Sequence, residues 1–186
     1  MNRTLRLLKT GLIVNRIISI ILLISSTNLQ AQKFIGKNGE ISFFSEAPME
    51  DIDAVNKKVS AVYDAKTNDL VFQLEIKDFV FPKSLMQEHF NENYLESDIY
   101  PKSIFKGKVV SQEGGNTIVE GSLTIHGKTN KIKVEGILKQ EKKAINVSAE
   151  FIVKLEDYDV KIPTIVMYKI AEEIEVKVNI ELKERK

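Results

Sequence analysis

Chemistry in this chain would have to begin with His89 and His126, its two histidines, because it contains no cysteine. Imidazole is the usual general base near neutral pH. His89 stands in Glu88-His89-Phe90-Asn91-Glu92-Asn93, where Glu88 or Glu92 would complete the acid–base pair of a hydrolase or isomerase. A helical zinc site needs a second histidine four residues on, and position 93 is Asn, so a histidine packed at the edge of an apolar helix face is the better reading. His126 closes the run Thr124-Ile125-His126-Gly127. Its parity points it away from the apolar set, which favours a hydrogen bond capping the turn over catalysis. No Gly-x-Ser-x-Gly elbow and no glycine-rich phosphate loop is present. Glu156, Asp157 and Asp159 cluster around Tyr158 without the spacing of an EF-hand, as a solvated loop would. Asn146-Val147-Ser148 matches a glycosylation sequon but falls within a strand pattern. The sequence is therefore read as non-enzymatic, with no metal and no catalytic residue.

The elements that hold these residues are set by composition and period. A length of 186 residues with 43% hydrophobic and 28% charged content suits one globular domain. Net charge is +1, yet Arg3, Arg6, Lys9 and Arg16 stand alone in the first 31 residues, leaving 23 basic against 26 acidic beyond them. That balance gives no footprint for nucleic acid. The basic start, the apolar run Ile17–Ile24 and the polar stretch closing on Ala31 read as a secretory signal peptide over 1–31. The run is too short to span a bilayer. The expectation is a periplasmic or secreted protein that is not membrane-spanning once the signal is cleaved, with a single domain over 32–186.

Alternation at period 2 dominates that domain. Ile174, Val176, Val178, Ile180 and Leu182 point one way, and Glu173, Glu175, Lys177, Asn179 and Glu181 the other. Similar runs separated by short polar turns predict about eight antiparallel strands, near 39–46, 57–65, 69–77, 102–112, 116–126, 130–140, 143–155 and 172–183. Sequential hairpins of this length favour a meander closed into a barrel over a sandwich. Between them, 82–97 lacks β-branched residues, opens at Pro82 and repeats Met86, Phe90 and Tyr94 at spacing four, which predicts a short amphipathic helix. A second brief helical piece is expected at 164–171. Gly107, Gly121, Gly136 and Ala149 fall on inward positions. They either free space for a ligand or let strongly coiled strands bend.

Taken in order, Phe81-Pro82 through Leu85-Met86-Gln87-Glu88-His89-Phe90 to Ser97, Tyr100-Pro101 with Phe105-Lys106-Gly107, and Gly121-x-Leu123-Thr124-Ile125-His126-Gly127-Lys128-Thr129 form a recognisable series. With Phe151, Asp157-Tyr158 and Ile162-Pro163, the stretch from Asn38 to Leu182 resembles the YceI-like family. The resemblance implies an all-β, eight-stranded, lipocalin-like antiparallel barrel that is exported and binds polyisoprenoid or other amphiphilic chains. The chain departs from it at the N-terminal strand. It has no Trp, and Gly39-Glu40-Ile41-Ser42-Phe43-Phe44-Ser45-Glu46-Ala47-Pro48 replaces the family's usual opening, so ligand contacts from that strand are not carried over.

The leading expectation is a lipid carrier without chemistry. Inward Phe72, Leu74, Phe105, Val119, Leu123, Val134, Phe151, Val153 and Val176 would line the tunnel, with Met86 and Phe90 covering its mouth. No cofactor is expected beyond a bound isoprenoid-type or fatty-acyl lipid. The partner is an apolar or amphiphilic small molecule, with a homodimer left open. A stress-related or interaction module with a packed barrel is the alternative.

Overall fold

A computed structural model describes residues 32–46, 51–161 and 171–185. The expected signal peptide lies outside them, as does the helical piece expected at 164–171 apart from Ala171. Eight strands form a closed barrel in which each pairs with its sequence neighbours and β1 pairs with β8. They are β1 (Lys33–Ser45), β2 (Ile52–Asp64), β3 (Asp69–Glu75), β4 (Lys102–Glu113), β5 (Asn116–Ile125), β6 (Lys128–Glu141), β7 (Ala144–Lys154) and β8 (Glu173–Glu184). Every pairing is antiparallel.

β1 and β2 begin earlier than the alternation predicts. Their shared ladder slips between Gly36 and Ile41, where Asn38 takes a left-handed φ of 61°. On β2 the buried positions change parity, from Ile52, Ala54 and Asn56 to Val59, Ala61 and Tyr63. A bulge adds one residue to one strand and reverses the facing of every residue beyond it, so a period-2 reading loses both strands there. Asn56, fully buried at the slip, donates to the Glu75 carbonyl and accepts from the Lys58 amide. Its polar atoms are thereby satisfied inside an apolar wall.

The hairpins β4–β5 and β6–β7 turn at Gly114-Gly115 and Lys142-Lys143, and β5–β6 turns at His126-Gly127. His126 and Gly127 both have positive φ, 49° and 72°, the mirror-image turn that matches strand twist.

One end of the barrel carries the turns at 65–68, 114–115 and 142–143. There Phe34, Leu182 and Ile145 are wholly buried, with Leu70, Val109 and Leu138 around them. The other end is covered by the connection from Ile76 to Pro101 and by a 3-10 turn at Leu155–Tyr158. The expected helix over 82–97 is shorter: α1 spans Ser84–His89 and runs into a π-helical turn, Phe90–Tyr94. The Leu95 amide reaches back to the Phe90 carbonyl and that of Ser97 to Asn91, wider steps than an α-helix takes. Met86, Phe90 and Tyr94 still face the barrel, while Leu85 is 56% exposed.

Candidate ligand cavity

Inward side chains on the eight strands should be fully covered in a solid barrel. Phe72, Phe105, Val134, Phe151 and Val176 are instead only partly buried, because they border open space. Three apolar cavities adjoin one another. The first, about 100 Å³, is lined by Phe72, Leu74, Phe105, Val119, Leu123, Val134 and Phe151, with Gly136 and Ala149. The second, about 110 Å³, is bounded by Leu74, Leu123, Phe151, Val153, Val176 and Phe90. It shares Ile41, Leu74, Ser103, Leu123 and Phe151 with the first. The third, about 50 Å³, lies under Met86, Phe90 and Tyr94 and shares Phe43, Phe90 and Leu95 with the second. A water needs roughly 10–15 Å³ on this scale, so each has room for more than one.

All eleven residues expected to line the tunnel border one of these cavities. The alternation does not point to Ile41, Phe43, Phe79 or Phe81. Phe43 stacks on Phe90 with ring centroids 5.6 Å apart, and its edges meet Phe79 at 5.4 Å and Phe81 at 5.8 Å. Such pairs contribute about 0.5–1.5 kcal/mol beyond area burial. The signal for them is compositional, Phe43-Phe44 and Phe79-Val80-Phe81, in stretches where periodicity breaks.

The inward glycines divide. Gly107 and Gly121 face one another across β4 and β5. A Cβ on Gly107 would lie 2.4 Å from Cζ of Phe105, and one on Gly121 2.5 Å from Lys106 O and 2.7 Å from the same ring carbon. Their missing side chains are occupied by Phe105, so these two leave no room for a ligand. Gly136 and Ala149 do border the first cavity. Even so, a Cβ on Gly136 would meet Ser148 O at 2.6 Å, so its absence lets β7 approach.

Among the described residues no charged side chain lines any of the three cavities. Burial raises the phenol pKa of Tyr94, and burial followed by the Asp157 charge raises that of Tyr158. Both therefore remain neutral hydroxyls at physiological pH. Such a surface receives hydrocarbon readily and rejects an unpaired charge.

Neither histidine borders these cavities. His89 Nδ1 lies 3.1 Å from Asn93 Oδ1 at the surface. His126 does not cap its turn. Its Nε2 is 2.7 Å from Glu96 Oε2 and its Nδ1 3.2 Å from the Tyr158 carbonyl, with Tyr100 edge-on to the ring. Left-handed backbone at 126 swings the side chain off the sheet, where it ties the α1 connection to the 3-10 turn. Both partners are acceptors, so the ring donates to both only as imidazolium. Among the described residues no group of three His, Cys, Asp or Glu is placed to hold a metal ion, and no helix is long and apolar enough to cross a membrane.

Residues 27–182 match the family model described as YceI-like domain. Among solved structures, a polyisoprenoid binding domain from Saccharophagus degradans implicated in plant cell wall breakdown is similar at 11% identity and TM-score 0.71, over 84% of this chain and all of that one. BcnA of Burkholderia cenocepacia is 16% identical with TM-score 0.68, over 77% of this chain and 95% of that one. The YceI protein of Campylobacter jejuni is 19% identical with TM-score 0.60, over 70% and 84%. At these identities the structural likeness speaks for the fold. No curated protein matches the chain.

Proposed function

This chain belongs to the YceI-like family, and on that premise we propose that it is an exported, non-enzymatic carrier of an isoprenoid or similar amphiphilic chain. The observation that carries this reading is the series of adjoining cavities lined chiefly by apolar side chains and, among the described residues, by no charged one. Their arrangement suits an extended hydrocarbon better than a compact polar metabolite. The polyisoprenoid-binding neighbour supports the ligand class, and the basic, then apolar, N-terminal run supports export to a periplasm or the medium. Absence of chemistry is supported by the position of both histidines away from the cavities.

Native mass spectrometry of the purified protein, with organic extraction, tests the proposal. A retained amphiphile, or saturable uptake of a fluorescent polyene fatty acid, is expected. Protein that is empty and takes up no probe would refute it. One feature favours the packed interaction module instead: the Gly107 and Gly121 positions are filled by Phe105. A Val134→Phe protein separates the two. In a carrier the new ring occupies the cavity and abolishes uptake with little loss of stability, whereas in a packed module it overfills the core and costs roughly 1–3 kcal/mol.

A further inference from the structure

One seam of the barrel is unpaired over a long stretch. β6 and β7 pair only from Gly136↔Ala149 to Glu141↔Ala144. Below that rung β6 stays on β5 down to Ile125↔Lys128, and β7 stays on β8 to Lys154↔Glu173. The facing edges, 131–135 of β6 and 150–154 of β7, share no ladder. The slot is closed again at its far end, where Asn130 Nδ2 donates to the Asp157 carbonyl and Lys128 pairs with Asp159 at 2.6 Å. Four or five residues of strand span roughly 13–16 Å, long enough to pass a hydrocarbon chain lengthwise. Breaks elsewhere in the ladder are filled. Between β1 and β8 the side chains of Ile180 and Leu182 lie against Gly36 and Gly39. Where β2 leaves β3, Val55 bridges Val80 and Asn56 bonds to Glu75.

Two further observations place this slot against the ligand space. Ile132, Val134 and Phe151 on its two edges border the first cavity. That cavity also takes in Ile137 and Ser148, which belong to the outer face and form the last rung but one. An outer groove shares Ile137, Val147 and Ser148 with it, on the paired rungs beside the slot. Ile137 and Ile152 on the outer rim are 48% and 55% exposed. Outward Val62 and Val110 are exposed on other strands as well; Ile137 and Ile152 are the pair that flanks the unpaired stretch. The two ends of the barrel are obstructed, by Phe34, Ile145 and Leu182 at the hairpin end and by the Phe43–Phe90 aromatic cluster and the His126 bridge at the capped end.

We propose that the β6–β7 slot is a lateral portal, through which an apolar chain enters and leaves the barrel sideways. The proposal rests on the carrier reading. Opening the edges costs no ladder hydrogen bonds, because they are already apart. Ile132, Val134, Phe151 and Val153 on the inward side cover the chain in transit, while the outer rim carries Ile152 among Lys131, Lys133, Glu135, Glu150 and Lys154.

The natural absence of cysteine makes a clean test available. Lys133 and Ile152 would face one another if the ladder continued, and both point outward. A Lys133→Cys/Ile152→Cys protein is joined by a short bismaleimide linker, and a control pair, Lys106→Cys/Ser122→Cys, is joined across the paired β4–β5 rung. Stopped-flow uptake and release of a fluorescent polyene fatty acid are then measured. Linking the slot should slow uptake and release together, by tenfold or more, with the equilibrium affinity unchanged, while the control link alters neither. Unchanged rates in the linked slot would overturn the portal while leaving the carrier reading intact. A probe that binds none of the proteins, unlinked wild type included, would overturn both. A ligand-free measurement stands beside it: a thiol at Val134→Cys should react with maleimide at least tenfold faster than one at Leu74→Cys, which lines the same cavity on β3, three strands from the slot. Equal rates count against the portal.

Discussion

At the hairpin end Phe34, Ile145 and Leu182 are wholly buried, whereas toward the capped end Val134, Phe151 and Val176 keep free surface. Both regions use the same strands, the same alternation and the same kinds of side chain. What separates them is closure. At the hairpin end β6 and β7 are still paired and β1 lies close on β8, so inward side chains from all around the barrel meet. Below Gly136 the wall parts and aromatic rings from outside the strand pattern provide the cover. Hydrophobic content therefore does not distinguish the packed region from the hollow one; continuity of the wall does.

The comparison is broken most forcefully at its solid side. Phe34→Ala should destabilise by about 3–5 kcal/mol in urea denaturation, since no neighbouring space can collapse onto the void. Phe151→Ala, which enlarges an existing cavity, should cost visibly less in the same measurement. Next in size is Gly107→Ala, whose Cβ would press on Phe105 and on Glu120 O at 2.9 Å. A loss of about 1–3 kcal/mol is expected, with partial rescue by Phe105→Leu in a double-mutant cycle. Failure of that rescue would place the constraint in the backbone contact.

His126→Ala removes two hydrogen bonds from a side chain 10% exposed, and a loss of about 1–2 kcal/mol is expected. Hydrogen exchange should speed up selectively at 95–100 and 155–160, leaving the hairpin end protected. The smallest effect belongs to Lys128→Ala. Its partner Asp159 is held below the usual carboxylate range, chiefly by the Lys128 hydrogen bond. A depressed folded pKa contributes stability above the unfolded value and loses it as pH falls through the folded one. Any difference between Lys128→Ala and wild type should therefore start to shrink near pH 4, the unfolded carboxylate range, vanish only once pH falls below the folded value, and weaken in high salt. Comparing denaturation midpoints at pH 7 and pH 3 checks it.

Much of this fold is legible from alternation. β3 to β8, the helix stripe of Met86, Phe90 and Tyr94, and every cavity residue chosen by parity sit where a one-sided strand or helix puts them. Three things are not legible. The β1–β2 bulge shifts parity at Lys57-Lys58, which erases the pattern used to find strands. Phe43 comes from β1 and Phe79 and Phe81 from the β3–β4 connection, and no local period links them. The β6–β7 slot is invisible because β6 alternates through its unpaired part, from Ile132 to Glu135; pairing is a relation between strands, and one strand does not record its neighbour's path. Parity misplaces His126 for a related reason: it holds along a strand and ends at the turn, where φ changes sign.

The closure of β1 on β8 has a kinetic consequence. Gln32 Nε2 donates to Glu184 across 152 residues of sequence, and the Arg185 amide donates to the Lys33 carbonyl. The first strand synthesised finds one of its two neighbours only after the last has been made. Until then it is an open edge beside β2, exposed to any other unfinished chain. Loop-closure entropy must be met before that final ladder stabilises anything. Folding should accordingly be slow relative to a helical protein of this length, and removal of β8 should yield aggregates in place of a smaller barrel.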